Sequence, residues 1–309
     1  MIIITGQTAT GKTSLALKLA KEKNGELINF DSRQIYKYLD IITGKDFGKF
    51  SIFNFQFSIN GFDVGYYYID DIRVWLYDVV DPRQYFSSYD FKELAQLVIC
   101  DMQKRGKLPV LVGGTYLYLK HLLHGFETES IPPNWNLREK LNKKSTTDLI
   151  NDLKSINSNS FEKLNNSDQN NPRRLIRRIE IETFKKKQYI NKPKVQPQTN
   201  LTGYVALNLR KYTGLRFASN DNLKIAIKKR VLQRLQLGAI DEVKSLLDKG
   251  YKKDDPGLKT IGYQQIIDFL QNKLSKQQAT DQWINAEIQY ARRQYTFMKK
   301  DMQINWKLI

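Results

Sequence analysis

Gly6-Gln7-Thr8-Ala9-Thr10-Gly11-Lys12-Thr13 fits the pattern G-x-x-x-x-G-K-[ST] at every position. Ahead of it, Ile2-Ile3-Ile4 is a β-branched run of the kind that forms a buried parallel strand. Behind it, Ser14-Leu15-Ala16-Leu17-Lys18-Leu19-Ala20 is rich in helix formers. A strand, a glycine loop and a helix in that order predict a phosphate-binding loop. Its glycines let backbone N–H groups curl around phosphate oxygens, and the helix N-terminus adds partial positive charge. Gly6, Thr8, Ala9, Thr10, Gly11, Lys12, Thr13 and Ser14 are therefore the expected phosphate cradle. Lys12 supplies a full charge, and the Thr13 hydroxyl is placed to ligate Mg2+. A kinase, an NTPase and a transferase that releases pyrophosphate would all satisfy this loop.

Outward from the loop, strands and helices alternate. Leu27-Ile28-Asn29-Phe30 reads as a second strand ending at Asp31-Ser32, and Val74 to Val80 as another, stopped by Asp81-Pro82. Between them Phe53 to Tyr68 contains Asn60-Gly61, a strong hairpin-turn signal. Phe91 to Lys104 has helical composition, and Leu108 to Val112 is a buried strand running into Gly113-Gly114. The alternation predicts an α/β fold: a nucleotide-kinase-like P-loop core with a parallel sheet flanked by helices. After Phe126 the texture becomes polar and helical, so residues 127–185 read as a helical insertion into a core formed by 1–126 and 186–309. Within the insertion, Asn165 to Asn171 is a loop on composition. Tyr204 to Leu209 reads as a returning strand, and the chain from Leu223 onward as mostly helical.

Fifty Lys and Arg face thirty-two Asp and Glu, a net charge of +18. A polyanionic partner explains that balance, and so does a solvated basic surface; charge alone leaves both open. Cys100 is the one cysteine, which excludes a disulfide within the chain. With His121 and His124 as the only histidines, zinc-finger and metal-hydrolase spacings cannot be built. No apolar run approaches the roughly 18 residues a membrane span needs. The first residues read as a strand and not as a signal peptide, so the cytoplasm is the expected compartment. No membrane contact and a monomer are the accompanying expectations, with the sequence leaving the oligomeric state open.

Several further motifs, in this order, make the sequence similar to the tRNA dimethylallyltransferases, the isopentenyl transferases that modify an adenine next to the anticodon. Asp31-Ser32-Arg33-Gln34-Ile35-Tyr36 resembles the family's D-S-x-Q-x-Y, continued by Asp40-Ile41, Thr43 and Lys45. Asp81-Pro82 with Phe86-Ser87 and Asp90-Phe91 resembles its D-P-x-x-x-[FY]-S-x-x-D-F stretch. Gly106 to Tyr118, Asn171-Pro172-Arg173-Arg174, Gly262-Tyr263 and Arg292 to Phe297 follow. The chain departs from the family at Gln7, where Pro is usual, and at Thr10, where Ser is usual. It also departs at Val74-Trp75 in place of a His pair, at Asn220 and Ala226 in place of two arginines, and at Phe297 in place of Trp. Residues 46–75 are longer than the family's segment.

The resemblance implies a role for each residue. Asp31 is the general base for the exocyclic amine of adenine as it attacks C1 of dimethylallyl diphosphate. Lys12, Arg230 and Thr13 with Mg2+ neutralise the leaving diphosphate. Gln34 reads the base or its backbone, and Thr115 lines the donor pocket. Ser32, Tyr36 and Gln294 complete the substrate side, while Arg173, Arg174 and the following stretch to Lys194, with Arg292 and Arg293, hold tRNA phosphates. Each residue also has a plainer reading: Asp31 as a helix cap, Gly113-Gly114 as a strand-to-helix turn, Arg230 and Lys185-Lys186-Lys187 as solvated cations, His121 and His124 as ordinary helix residues. A nucleoside or nucleotide kinase, an adenylate isopentenyltransferase acting on free nucleotides, and a non-catalytic RNA-binding module are the competing functions.

Overall fold

The computed structural model describes residues 1–45, 52–126, 128–129, 131, 133–190 and 212–309. Its elements run β1 (Ile2–Gly6), α1 (Lys12–Glu22), β2 (Gly25–Asn29), β3 (Asn54–Ile59), β4 (Phe62–Ile69), β5 (Ile72–Trp75), α2 (Ser88–Lys104), β6 (Leu108–Val112) and α3 (Tyr116–His124). There follow α4 (Trp135–Leu141), α5 (Thr146–Glu162), α6 (Asn166–Gln169), α7 (Pro172–Ile190), β7 (Tyr212–Arg216), α8 (Asn220–Gln236), α9 (Ala239–Asp248), α10 (Tyr263–Leu270), α11 (Lys276–Met298) and β8 (Ile304–Leu308). The chain divides into two compact units, Met1–His124 with Leu207–Ile309, and Gly125–Ala206.

In the larger unit the strands form one sheet in the order β3-β4-β5-β2-β6-β1-β7-β8. Every pair from β5 to β8 is parallel; β3, β4 and β5 pair antiparallel through the Asn60-Gly61 hairpin and a second turn. The apolar runs of the central strands follow from burial on both faces. Ile3, Ile28 and Leu111 pack with Phe91, Leu94 and Val98 of α2 on one side. Ile4, Leu27, Val110 and Val112 pack with Ala16 and Ala20 of α1 on the other. Because β2, β6 and β1 are neighbours and parallel, the loops after all three leave the same edge of the sheet. That carboxyl edge is where parallel α/β sheets bind ligands.

The strand expected over Val74 to Val80 stops at Trp75. Leu76 and Asp78 take positive φ (65° and 56°), and Asp78 turns inward to the Lys45 ammonium and the Tyr67 hydroxyl. This polar anchoring ends the strand; only Val80 rejoins, in a bridge with Tyr36. β8 was not expected; it extends the sheet beside β7. In the smaller unit Leu141, Leu149, Leu153, Leu175, Ile176 and Ile179 form the core. The Asn-rich stretch expected as a loop carries the helical turn α6, since the Asn165 side chain caps it by accepting from Asp168 N. Helix α7 runs through residue 185 to Ile190. The strand expected over Tyr204 to Leu209 lies outside the described residues.

Candidate active site

The loop after β1 is shaped by close contacts. Gly6 has φ +129°, and a Cβ there would sit 2.1 Å from the Leu215 carbonyl oxygen of β7, so only glycine fits. The Gln7 amide ties this turn down: Nε2 donates to the Ala291 carbonyl at 3.3 Å, and Oε1 accepts from Phe217 N at 3.0 Å. A proline could make neither bond. Ala9 and Gly11 take the left-handed conformation (φ 64° and 73°), curling the loop into the start of α1. The Thr10 hydroxyl and the Lys12 ammonium both donate to the Gln7 carbonyl, at 2.8 and 2.5 Å. Thr13 is the second residue of α1 and half-buried, whereas Gly11 and Ser14 are exposed.

Lys12 is held down to about 7 from the ordinary 10.5, first by burial and then by the charge of Arg230, with Asp31 pulling the other way. Asp31, Lys12 and Arg230 therefore share one electrostatic site. Arg230 Nη1 donates to the Thr8 hydroxyl, which brings α8 onto the loop and removes the reading of Arg230 as a solvated residue.

The turn after β2 presents the acceptor side. Asn29 Oδ1 accepts from Asp31 N at 3.0 Å, and Asp31 Oδ1 accepts from Arg33 N at 2.9 Å. Asp31 thus caps its own turn with one oxygen. Thr115, after β6, accepts from Ser32 N at 3.0 Å and donates to Ser32 Oγ at 3.1 Å. Gln34 Nε2 donates to the carbonyls of Thr43 and Gly44 at 3.2 and 2.8 Å, so its amide nitrogen braces the following turn. That turn is pinned by Lys45, whose fully buried side chain meets Tyr36 O, Asp40 and Asp78, and by Glu242, which accepts from the backbone of Asp40, Ile41 and Ile42.

Two residues expected on the substrate side are buried and bonded within the protein. Tyr36 is buried in the core beside Val80 and Gly257. Gln294 is buried on α11, accepting from Thr8 N at 2.9 Å and donating to the Gly114 carbonyl at 3.0 Å. Its amide joins the two glycine loops. Arg292 is half-buried and Arg293 exposed on the same helix. Arg173 and Arg174 are exposed at the start of α7 in the smaller unit, Arg174 pairing with Asp168. His121, read as an ordinary helix residue, lies on α3 with its Nδ1 2.9 Å from the Ser88 hydroxyl.

Tyr290 was missed. It hydrogen-bonds with Thr115 and Gln294, and burial, then the nearby Asp31, push its hydroxyl well above the ordinary tyrosine range. It stands one helical turn before Gln294, so the helix period was the available signal.

The Lys12 environment carries a testable consequence. Without donor the Lys12 amine is expected to be largely neutral well above pH 7, and an arriving diphosphate ester to restore its charge. Binding of a non-reactive donor analogue is expected to take up about one proton at pH 8 to 9, and less below pH 7. Calorimetry in buffers of different ionisation enthalpy measures this, and uptake that persists unchanged in Lys12→Ala would disprove it. The same shift makes the empty protein's stability rise with pH between 7 and 10.5, because the unfolded chain holds the extra proton there.

A family model described as IPP transferase matches residues 68–301. The tRNA dimethylallyltransferase of Acetivibrio thermocellus is 32% identical over 311 residues, covering 99% of this chain and 90% of that protein. That of Endomicrobium trichonymphae is 34% identical over 309 residues, covering 99% and 94%. The crystal structure of the tRNA isopentenylpyrophosphate transferase of Bacillus halodurans aligns with a TM-score of 0.65 at 30% identity, over 99% of this chain and 88% of that one. A eukaryotic dimethylallyltransferase acting on tRNA shares the fold, with a TM-score of 0.71 at 24% identity over 99% and 73% of the two chains. No described helix is long and apolar enough to cross a membrane. With a match over most of its length and relatives above 30% identity along nearly all of it, the chain belongs to the IPP transferase family.

Proposed function

We propose that this chain transfers a dimethylallyl group from dimethylallyl diphosphate to N6 of the adenine on the 3′ side of the anticodon in tRNA, releasing diphosphate. The observation that carries this reading is the carboxylate of Asp31 within electrostatic reach of Lys12 in the phosphate loop. A proton acceptor and a diphosphate cradle at one sheet edge are what amine alkylation by an allylic diphosphate needs. The adenine N6 lone pair forms the bond to C1, the C1–O bond breaks, its electrons leave with diphosphate, and the N6 proton passes to Asp31. Lys12, Arg230 and the N–H groups of the loop stabilise the leaving charge.

Thr13 would hold Mg2+ through its hydroxyl, with the diphosphate and water as the other ligands, since Mg2+ readily keeps several waters. The ion would supply further neutralisation of the diphosphate. Thr13 is the second residue of α1 and half-buried, and among the described residues no group of three or more His, Cys, Asp or Glu is placed to hold a metal ion.

An adenine stacked in a loop cannot reach a donor seated beside the phosphate loop, so the base must leave its stack. The +18 charge and the names of the relatives favour tRNA over a free nucleotide as the acceptor. Exposed Arg173, Arg174 and Arg293, with Arg292, are the proposed phosphate contacts. Labelled dimethylallyl diphosphate is expected to modify unmodified tRNA, with nucleoside mass spectrometry finding the label on one adenine. RNA affinity should fall steeply between about 50 and 200 mM salt. Label transferred to AMP or ADP but not to tRNA would move the assignment to an adenylate isopentenyltransferase, and phosphate transfer from ATP to a nucleoside would make it a kinase.

A further inference from the structure

A second arginine stands behind Arg230. Arg230 and Arg234 lie one turn apart on α8, and both guanidinium groups press on Gly44. A Cβ at Gly44 would lie 2.7 Å from Arg234 Nη2 and 2.8 Å from Arg230 Nη2. The turn carrying Gly44 is a firm stop, anchored by the buried Lys45 ammonium and by the Glu242 carboxylate. Arg234 is fixed from the other side. Its Nη1 donates to Glu287 Oε1 at 2.7 Å, with both side chains under 10% exposed. Trp283 Nε1 donates to the same carboxylate oxygen at 2.9 Å, which sets the orientation of Glu287.

Two neighbouring guanidinium groups repel, and more strongly out of water. Burial, and then the charge of Arg230, lower Arg234 to about 10. Glu287 compensates one of the two charges, and it is bonded to Arg234. Repulsion from the clamped Arg234 disfavours movement of Arg230 toward it, and Arg230 Nη1 is found on the Thr8 hydroxyl of the phosphate loop.

We propose that Arg234, clamped by Glu287 and seated against Gly44, is the positioning residue that holds Arg230 on the diphosphate of the donor. This rests on the proposed function for the identity of the anion. Arg234 touches no reacting atom and acts through Arg230. Gly44 takes a left-handed φ of +70°, which favours glycine, and a side chain there would also meet both guanidinium groups.

The test is calorimetric binding of inorganic diphosphate with Mg2+ to the full-length protein, beside kcat/KM for the donor. Arg234→Met combined with Glu287→Gln removes the charge pair together, so no buried carboxylate is orphaned. That variant is expected to bind diphosphate about tenfold more weakly, with a parallel loss in kcat/KM and unchanged tRNA affinity. Arg234→Lys keeps the charge and should recover to within about threefold of wild type. Gly44→Ala should weaken binding in the same direction. Its Cβ meets only the ends of flexible side chains, and its φ of +70° adds local backbone strain, so it keeps the question open to test if the double variant fails to fold, with unchanged tRNA affinity as the control for a distorted turn. Diphosphate affinity within twofold of wild type in whichever of the two folds would overturn the proposal, as would Arg234→Lys binding as weakly as the double variant. A wild-type protein that binds diphosphate but modifies no tRNA would sink the proposed function and leave this inference standing.

Discussion

Lys12→Ala is expected to lower prenyl transfer by about 10³-fold or more, while tRNA still binds. A single neutral donor aimed at a developing anion is worth about 10² to 10³ in turnover, and Lys12 brings a full charge out of bulk water. The variant should fold. The wild-type amine is desolvated and shifted down to about 7, so its removal relieves that desolvation and gives up only the attraction of Asp31. The Gln7 carbonyl that loses the Lys12 ammonium keeps the Thr10 hydroxyl at 2.8 Å. Loop shape depends on Gly6, Gly11 and the Gln7 and Gln294 amides, none of which the substitution touches. Single-turnover transfer at saturating donor, with tRNA affinity measured in parallel, checks the expectation. Turnover within tenfold of wild type would show that the diphosphate is neutralised elsewhere.

The phosphate loop was legible because everything that makes it work lies within eight consecutive residues and their two flanking elements. The parallel core was legible for a similar reason: strands buried on both faces read as unbroken apolar runs. What could not be read was the support reaching that loop from far along the chain. Gln294 joins Thr8 across 286 positions, and Gln7 joins Ala291 across 284. Periodicity shows that Glu287, Tyr290 and Gln294 are near one another on a helix, yet not what that helix packs against. The resemblance implies a substrate-side place for Gln294; its burial follows from the docking of α11 beside β1, which local sequence does not show. Asp78 defeated the strand expectation likewise, since a carboxylate inside an apolar run signals a turn only once Lys45 and Tyr67 are known to face it. The departure at Gln7 has a structural counterpart, an amide that bridges α11 and the end of β7.

Asp31→Asn is expected to reduce turnover by about 10² to 10⁴ at saturating donor and tRNA. The substitution separates two roles that the structure gives to one side chain. Oδ1 accepts from Arg33 N at 2.9 Å, and an asparagine oxygen can accept the same bond, so the turn after β2 persists. Asn29 holds the backbone at this point through Asp31 N, which is indifferent to the change. What disappears is the capacity to take the N6 proton. One indirect effect has to be kept apart: Asp31 raises Lys12, so removing its charge lowers Lys12 further and weakens donor binding most above pH 7. Measurement of kcat at saturating donor, at pH 6.5 as well as pH 8, isolates the proton-transfer deficit from that linkage. A base role predicts a large loss in kcat at both values, with tRNA affinity little changed. Turnover within a few-fold of wild type at pH 6.5 would reduce Asp31 to a cap of its own turn and an electrostatic neighbour of Lys12.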